Sequence, residues 1–182
     1  MRKIVLGVGI SLDGYIARPD DSLDFLFMPK DYSMAPFFAT VDTAIMGRKT
    51  LEVGLKNGGA GSLSTLKAYV MSRTMRQGKH DGWTVTRQSP KDLVAEIRQN
   101  RGKDIWLTGG GVVAREFLKA DLVDEIHLGV VPVLIGEGIP LFPAGFPQRE
   151  FKLIENRTYS RGLIAVKYGR VRTSTGRSKR KA

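Results

Sequence analysis

The sequence predicts an α/β domain with a mainly parallel β-sheet, and three features of the chain lead to that prediction. Short runs rich in β-branched residues recur along the chain, as in RKIVLGVGIS near the N-terminus. Amphipathic helical patterns separate several of them, as in SPKDLVAEIRQNRG and VVAREFLKA. Two adjacent strand patterns, FKLIENRTYS and GLIAVKYGRV, then predict a hairpin that turns at Arg161 and Gly162. Strands that alternate with helices and end in a hairpin are typical of a parallel sheet with antiparallel edges.

The individual elements follow in chain order. RKIVLGVGIS is the first strand, and a second covers Thr43 to Met46 after a helix predicted in MAPFFATV. LKAYVMS and WTVTR are the third and fourth strands. In the next helix Ser89 suits the N-cap, Pro90 the first turn and Gly102 the end. DIWLT is another strand, VVAREFLKA the helix after it, and LVDEIHLGVVPVL a long strand before the hairpin.

The composition is that of a soluble globular protein with one domain. The chain has 182 residues, of which 42% are hydrophobic and 26% charged, enough for one well-buried core. No apolar run approaches the roughly 20 residues of a membrane span. The lack of cysteine excludes disulfides and cysteine-ligated metals and agrees with a cytoplasmic location. Two histidines on separate elements, His80 and His127, predict no metal site and no catalytic role.

The net charge of +11 is concentrated at the C-terminus. The last thirteen residues, RVRTSTGRSKRKA, hold six cationic side chains and no acid, which leaves +5 for the remainder. We therefore expect one domain over residues 1–169 and a basic flexible tail over 170–182. This tail is the only feature that favours contact with nucleic acid. The segment KNGGAGSLST has no periodicity and is expected to be a mobile loop.

Three predicted strands end in loops that suit an anion. WLTGGGVVAREFL has three glycines between a strand and a helix, where an anion can reach free N–H groups and the positive end of the helix dipole. In AIMGRKTLE a strand ends at Gly47, and Arg48 and Lys49 then oppose the dipole of the next helix unless an anion is bound. AYVMSRTM ends a third strand at Ser72 and Arg73. Ligands of open α/β sheets gather at the carboxyl ends of strands, so the three loops together favour a nucleotide.

Neither standard phosphate-binding motif is present. The Walker A pattern has no match, and the glycines at 7 and 9 are followed by Leu12 where the dinucleotide fingerprint needs its third glycine. Taken alone, each of the three loops also has a structural explanation: a tight turn, a solvated basic turn and a polar loop. The nucleotide hypothesis depends on their occurring together.

Five segments resemble, in order and spacing, the dihydrofolate reductase-like superfamily, and more closely its riboflavin-biosynthesis reductases, the RibD C-terminal domain family. They are GISLDGYIA, IMGRKTLE, YVMSRT, WLTGGGVVAREFL and VDEIHLGVVPVLIGEGIPLFP. The resemblance implies a three-layer fold with a mainly parallel mixed sheet, helices on both faces and a C-terminal antiparallel hairpin. It further implies an NADPH-dependent reductase of a small heterocyclic substrate, similar to 5-amino-6-(5-phosphoribosylamino)uracil reductase, and a homodimer in which HLGVVPVLI is either interface or core.

The resemblance also assigns contacts with NADPH. It implies that Gly47–Thr50 and the glycine triplet hold the pyrophosphate and that Ser72 and Arg73 face the adenosine 2′-phosphate. By the same resemblance, the nicotinamide is lined by Val8, Gly9, Ile16 and Ala17. Arginine suits a dianionic phosphate better than a pair of ribose hydroxyls. The complete predicted set is Val8, Gly9, Ile16, Ala17, Gly47, Arg48, Lys49, Thr50, Ser72, Arg73, Thr108, Gly109, Gly110, Gly111, Val112 and Val113.

Three acidic residues are the candidates for a catalytic role, and each has an alternative. Asp13 in SLDGYIA contacts the substrate or caps the turn before Gly14. Asp24 in DDSLDFLF lies at the rim of the pocket or faces solvent, and Glu137 in LIGEGIPLF approaches the pocket or belongs to a plain turn.

Two other functions compete with this reductase. Folate-reducing relatives carry a carboxylate on their first long helix, and Asp31, the acid of that stretch here, does not align with it. Dihydrofolate reductase is therefore the second hypothesis, and a non-catalytic nucleotide- or RNA-binding protein on the same fold is the third. The zinc deaminase often fused to the riboflavin enzymes needs cysteines, so this chain corresponds at most to the reductase half.

Overall fold

The computed structural model describes residues 1–57 and 65–172. Most of the predicted mobile loop and the tail from residue 173 onward lie outside these residues. The helices of the described chain are α1 (Ala35–Phe38), α2 (Arg48–Lys56), α3 (Pro90–Arg98) and α4 (Gly111–Lys119). Its strands are β1 (Ile4–Ile10), β2 (Tyr15–Ala17), β3 (Val41–Gly47), β4 (Lys67–Met71), β5 (Gly78–His80), β6 (Trp83–Thr86), β7 (Asp104–Gly109), β8 (Glu125–Val130), β9 (Ile139–Pro140), β10 (Phe151–Thr158) and β11 (Ile164–Arg170).

One nine-stranded sheet organises the molecule, in the order β10-β11-β8-β1-β7-β3-β4-β6-β5. The six strands from β8 to β6 are mutually parallel. The hairpin of β10 and β11 adds two antiparallel strands at one edge, and β5 adds another at the opposite edge. The short strands β2 and β9 form a separate antiparallel pair. The predicted mixed sheet with a C-terminal antiparallel hairpin is confirmed.

Helices cover both faces of the sheet, as predicted. On one face, α3 and α4 bury Leu93, Ile97 and Phe117 against the even-numbered side chains of β1, such as Leu6. On the other face, Leu51 of α2 packs against side chains of β3 and β4. Burial of each such side chain contributes roughly 1.5–3 kcal/mol, so the sheet is fixed between two apolar layers.

Helix α3 begins where the sequence predicts but ends earlier. The Ser89 hydroxyl accepts a hydrogen bond from the Asp92 amide, as expected of an N-cap. The helix ends at Arg98, four residues before Gly102, which was expected to terminate it. Gly102 instead lies against the carboxylate of Asp42, where a side chain would collide.

The strand in LVDEIHLGVVPVL is shorter than predicted: β8 covers only Glu125–Val130. Pro132 has no N–H group with which to continue the ladder. β8 lies between β1 and β11, and Val131, immediately after it, is 1% exposed. Within the stretch HLGVVPVLI only Val131 is buried, while Pro132 and Leu134 are exposed, so the stretch is part core and part surface.

The first residues of the predicted basic tail belong to the folded chain. Arg170 ends β11, and its guanidinium contacts Asp121 at 3.0 Å. Arg172 contacts Asp124 at 2.8 Å. The folded domain thus includes residues beyond 169.

Candidate functional site

The three predicted anion-binding loops lie side by side because they follow neighbouring parallel strands, whose carboxyl ends form one edge of the sheet. β1, β7, β3 and β4 are adjacent and parallel, so their carboxyl ends meet there. β7 ends at Gly109, β3 at Gly47 and β4 at Met71, just before Ser72. This edge is where open α/β sheets bind their ligands.

Two helix N-termini converge at this edge without side-chain caps. α2 and α4 have glycines, Gly47 and Gly110, at their N-caps, and among the described residues neither helix has a side-chain cap or an acid in its first turn. By contrast, α3 has both Ser89 and Asp92. The two N-termini touch, since a Cβ on Gly47 would lie 3.1 Å from Val113 Cγ2 and one on Gly110 would lie 3.2 Å from Thr50 Oγ1. Two adjacent positive dipole ends with free N–H groups are suited to an anion that bridges them.

The hydroxyl of Thr108, on β7 directly before Gly109, is buried and has no partner among the described residues. Ile45 pairs with Leu107 and Met46 with Gly109, so Thr108 is the extra residue of a bulge on β7. Within residues 1–57 and 65–172 its Oγ1 is buried and makes no hydrogen bond. A buried hydroxyl that makes no hydrogen bond is costly, and bulges commonly redirect side chains near active sites. Thr108 therefore has a donor and an acceptor to offer a ligand at this edge.

The three consecutive glycines have two different functions. Gly109 and Gly110 have φ angles of +98° and +52°, which L-residues rarely adopt, and a Cβ on Gly109 would meet nothing within 4 Å. Gly111 has no such φ, but a Cβ there would collide with the carbonyl oxygen of Pro140. The Cβ position of the buried Gly109 is thus vacant, that of the half-buried Gly110 lies beside Thr50, and Gly111 permits close packing of α4 on β9.

The predicted basic residues surround this surface and are partly engaged already. Arg48 pairs with Glu52 one helical turn further on, at 2.7 Å. Lys49 Nζ lies 3.6 Å from Asp21, in the turn after β2. Arg73 is exposed and forms no salt bridge within the described part of the chain.

The hydroxyl of Ser72 shapes the loop after β4. Ser72 Oγ accepts hydrogen bonds from the backbone N–H groups of Thr74 and Met75 at 3.2 and 3.1 Å. These bonds close a tight turn that holds Arg73 at its tip. Ser72 Oγ also lies 3.4 Å from Thr74 Oγ1, and either hydroxyl can donate to the other.

The residues predicted to line the nicotinamide lie on β1 and β2, beside the glycine triplet. Val8 and Gly9 are half-buried near the end of β1, Ile16 is half-buried, and Ala17 is 6% exposed. β2 pairs with β9, whose Pro140 contacts Gly111, so the β2–β9 pair connects these residues to α4. Val112 is 61% exposed, and Val113 contacts Gly47.

A flat patch of backbone lies next to this position. Gly9 of β1 pairs with Gly129 of β8, and a Cβ on Gly129 would meet nothing closer than Gly9 Cα at 4.0 Å. Leu26 contacts one side of Gly9, while Phe37 and Trp106 contact the neighbouring Gly7. The backbone is uncovered at Gly129, whereas Leu26 lies against Gly9 and aromatic side chains lie against Gly7, so a planar ring at this patch would contact Leu26.

Asp13, the first catalytic candidate, is bound to the loop that follows β8. Its carboxylate accepts hydrogen bonds from Ser11 Oγ at 2.5 Å and from the amides of Gly136 at 2.8 Å and Ile135 at 3.1 Å. The Ser11 hydroxyl first, and then the amides, hold the pKa of Asp13 below its usual value. Asp13 is therefore an ionised anchor that joins two loops at the site, and its charge makes it a poor proton donor.

The other two acidic candidates lie on the surface. Asp24 pairs with Arg18 at 2.5 Å, and that hydrogen bond lowers the pKa of Asp24. Glu137 is exposed beside Gly136, in the loop that Asp13 holds, and forms no salt bridge among the described residues. Of the three candidates, Glu137 is thus the one whose carboxylate is not committed to another group.

Asp31 does not lie on α1 and binds elsewhere. Its carboxylate accepts hydrogen bonds from Ser160 Oγ at 2.7 Å and from the Ser160 amide at 2.9 Å, in the turn between β10 and β11. α1 itself consists of Ala35, Pro36, Phe37 and Phe38 and contains no acid. α1 therefore supplies no carboxylate.

Comparison with known proteins now decides the family. The model of the RibD C-terminal domain matches residues 2–165 of the chain. The chain belongs to the RibD C-terminal domain family. It is 31% identical over 178 residues to the uncharacterized protein YyaP of Bacillus subtilis, an alignment that covers 92% of this chain and 94% of that protein.

Solved structures of similar proteins agree with this assignment. A putative riboflavin biosynthesis protein from a Shewanella species is 29% identical, with a TM-score of 0.81, over 94% of this chain and 100% of that one. A diaminohydroxyphosphoribosylaminopyrimidine deaminase/5-amino-6-(5-phosphoribosylamino)uracil reductase from Thermotoga maritima has the same fold, with a TM-score of 0.72 and 13% identity. There the similarity covers 93% of this chain and 57% of the longer protein. This RibD C-terminal domain therefore has the reductase fold of riboflavin biosynthesis.

Several residues of the RibD C-terminal domain site were not found from the sequence. Asp21 contacts the predicted Lys49, while Leu26, Trp106 and Gly129 border or form the flat patch. Their partners lie on other strands or loops, so local patterns give no signal for them. Gly129 is the exception, because a glycine within a β-branched strand often marks a close approach of a ligand or another backbone.

Proposed function

We propose that this protein is an NADPH-dependent reductase that transfers a hydride to a small heterocyclic substrate, in the manner of 5-amino-6-(5-phosphoribosylamino)uracil reductase. The observation that carries the proposal is the pair of uncapped N-termini of α2 and α4, with the buried Thr108 hydroxyl, which has no partner in the described chain, on the strand that leads into α4. The half-buried Gly110, at the N-cap of α4, is where a diphosphate would approach backbone N–H groups.

The residues present fit such a cofactor. The N-termini of α2 and α4, with Thr50 and Thr108, would hold the pyrophosphate, and Ser72 and Arg73 would bind the 2′-phosphate. The nicotinamide supplies the hydride when it is bound. The protein's part is to align the two rings, exclude water and provide a proton.

The flat patch at Gly9 and Gly129 supports a planar substrate. Its backbone surface and its border of Leu26, Phe37 and Trp106 suit a heterocyclic ring lying against the nicotinamide. Glu137 is the acid we assign as the candidate proton donor, because Asp13 and Asp24 are held as anions by their partners. The apolar α1 favours this activity over folate reduction, which relies on a carboxylate at that position.

Calorimetric titration with NADPH and with NADH tests the cofactor assignment. We expect the wild-type protein to prefer NADPH, and Arg73→Ala to weaken NADPH binding by about 1.5–3 kcal/mol while NADH binding changes little, because a charge-assisted contact with the 2′-phosphate is lost. Arg76→Ala is the matched control, since Arg76 is an exposed arginine three residues away. If neither dinucleotide binds, the reductase proposal is wrong. If both arginine variants lose equal affinity for both cofactors, Arg73 is not the 2′-phosphate ligand.

The homodimer implied by the family resemblance stays a proposal. If it forms, an exposed surface such as the edge strand β10, where Leu153 and Ile154 are each 52% exposed, is better suited to it than β8. β8 has both neighbours in the sheet and offers no free edge.

A further inference from the structure

An acidic side chain lies beside the helix N-terminus where the proposed cofactor would place its diphosphate. Asp21 Oδ2 lies 3.6 Å from Lys49 Nζ, in the first turn of α2. The side chains of Lys49 and Asp21 are 64% and 33% exposed. Both are therefore accessible to solvent and to a ligand that arrives at this edge of the sheet.

The turn that carries Asp21 is held together by its own hydrogen bonds. The Arg18 amide donates to the Ser22 carbonyl at 2.9 Å, and the Asp21 amide donates to the Arg18 carbonyl at 3.0 Å. The Arg18 guanidinium closes the turn further by pairing with Asp24. Asp21 itself has a φ of +68°, a conformation that aspartate and asparagine tolerate better than most residues. The carboxylate is thus presented by a preformed turn.

Electrostatics explain why the two side chains meet. The positive charge of Lys49 lies in the first turn of α2, where the positive end of the helix dipole repels it. A nearby anion offsets this repulsion. Asp21 supplies that anion from outside the helix. Phosphate oxygens bound at the same N-terminus would attract Lys49 and repel Asp21, so the carboxylate and a diphosphate are competitors for one lysine.

We infer that Asp21 holds Lys49 until a diphosphate-bearing cofactor binds, and that it thereby lowers the affinity of the site for that cofactor. Binding exchanges the Lys49–Asp21 ion pair for an ion pair between Lys49 and phosphate, which frees the Arg18–Asp24 turn from α2. The inference rests on the proposed function, because it takes the diphosphate to lie at the N-terminus of α2. It assigns Asp21 as a residue that sets affinity through Lys49 and has no part in the chemistry.

The test is NADPH titration of Asp21→Asn beside Asp20→Asn. Asparagine keeps the left-handed backbone conformation and the size of the side chain, so Asp21→Asn removes only the charge. Exposed ion pairs contribute little, and we expect roughly 1.5- to 5-fold tighter NADPH binding. Asp20→Asn makes the same change of net charge one residue away, where no contact with Lys49 exists in the described chain, and should leave the affinity unchanged.

The Lys49→Ala background separates competition for Lys49 from general repulsion. In that background Asp21→Asn should have little further effect, because the contested lysine is gone. Unchanged or weaker NADPH binding by Asp21→Asn overturns the inference, and so does a full effect that persists without Lys49. The proposed function survives either result if the wild-type protein binds NADPH and Lys49→Ala weakens that binding. Failure of the wild-type protein to bind NADPH overturns both.

Discussion

His127 is a titratable residue packed inside the sheet. It lies in the middle of β8 beside Gly7 of β1, with the ring of Phe37 5.8 Å away, and its side chain is 19% exposed. Its Nε2 lies 2.9 Å from Glu125, which also pairs with Lys3. Burial lowers the pKa of His127, and the hydrogen bond with Glu125 only partly opposes that effect. The ring is therefore neutral at pH 7, as befits a packed histidine.

His127 should make the protein less stable in mildly acidic solution. Its pKa is lower in the folded chain than in the unfolded one, so its contribution to stability is present above about pH 6.5 and is lost as the pH falls through the folded pKa. The carboxylates with lowered pKa, such as Asp13 and Asp31, lose their contribution only below about pH 4. The urea concentration at the midpoint of unfolding should be lower at pH 5.5 than at pH 7.5 for the wild type. The difference between the two pH values should be smaller for His127→Gln. Equal falls in both proteins would contradict this assignment.

Single acidic residues show where prediction from sequence stops. The sequence predicts Asp13 to be either a substrate contact or the cap of the turn before Gly14. Its carboxylate does accept hydrogen bonds from backbone amides, but these belong to Ile135 and Gly136 in a distant loop. Asp31 likewise binds Ser160, at the far end of the chain. Both partners are more than 120 residues away in sequence. The type of side chain indicates what it can bind, whereas the partner depends on which loops the sheet brings together.

At the scale of elements, α4 and the loop before it should respond differently to alanine at adjacent positions. Gly111→Ala places a Cβ against the carbonyl oxygen of Pro140 and 3.1 Å from Pro143, and should lower the free energy of unfolding by about 1–3 kcal/mol. Gly110→Ala places its Cβ 3.2 Å from Thr50 Oγ1 with φ at +52°, which should cost about 1 kcal/mol.

The two variants should also differ in cofactor binding. Gly110→Ala narrows the open surface between the two helix N-termini, so NADPH titration should show weakened binding by a protein that remains folded at 25 °C. Urea unfolding of both variants supplies the stability comparison. If Gly110→Ala binds NADPH as tightly as the wild type, the diphosphate does not lie over this glycine.

Long periodic elements were predicted well, and short ones were missed for a physical reason. β1, β3, β7 and α3 carry enough apolar residues to reveal their period within the chain itself. β2 and β9 have three and two residues and form strands only because each pairs with the other. α1 has only four residues, fewer than MAPFFATV suggests, because β3 already begins at Val41.

For the whole molecule, alternation of strands and helices predicted the sheet but not its order. β1 entered the prediction as the first strand and lies near the middle, between β8 and β7. This position gathers the ends of β1, β7, β3 and β4 at one edge, and thereby places loops far apart in sequence around one surface. The three anion-suited loops could be recognised individually, while Asp21 gains its meaning only from this arrangement.

The C-terminal end of β11 holds together three parts of the molecule. Arg170 pairs with Asp121 before β8, donates to the Glu150 carbonyl at 3.0 Å and lies 5.7 Å from the ring centroid of Phe151. Arg172 pairs with Asp124. Asp124 in turn accepts a hydrogen bond from the amide of β1 residue Ile4 at 2.9 Å. The last described residues therefore connect the edge hairpin to the centre of the sheet.

Two truncated proteins should differ in stability for this reason. A chain that ends at Gly169 loses Arg170 and Arg172, whereas a chain that ends at Arg172 keeps both, and neither contains residues 173–182. Because Arg170 is 11% exposed and hydrogen-bonded to charged and carbonyl groups, the shorter chain should be less stable by about 1–3 kcal/mol in urea unfolding. Equal stability would mean that the arginine contacts contribute nothing. If the two chains differ in stability, a test of the basic tail for RNA binding should use the chain that ends at Arg172. In the chain that ends at Gly169, loss of RNA binding could not be distinguished from loss of stability.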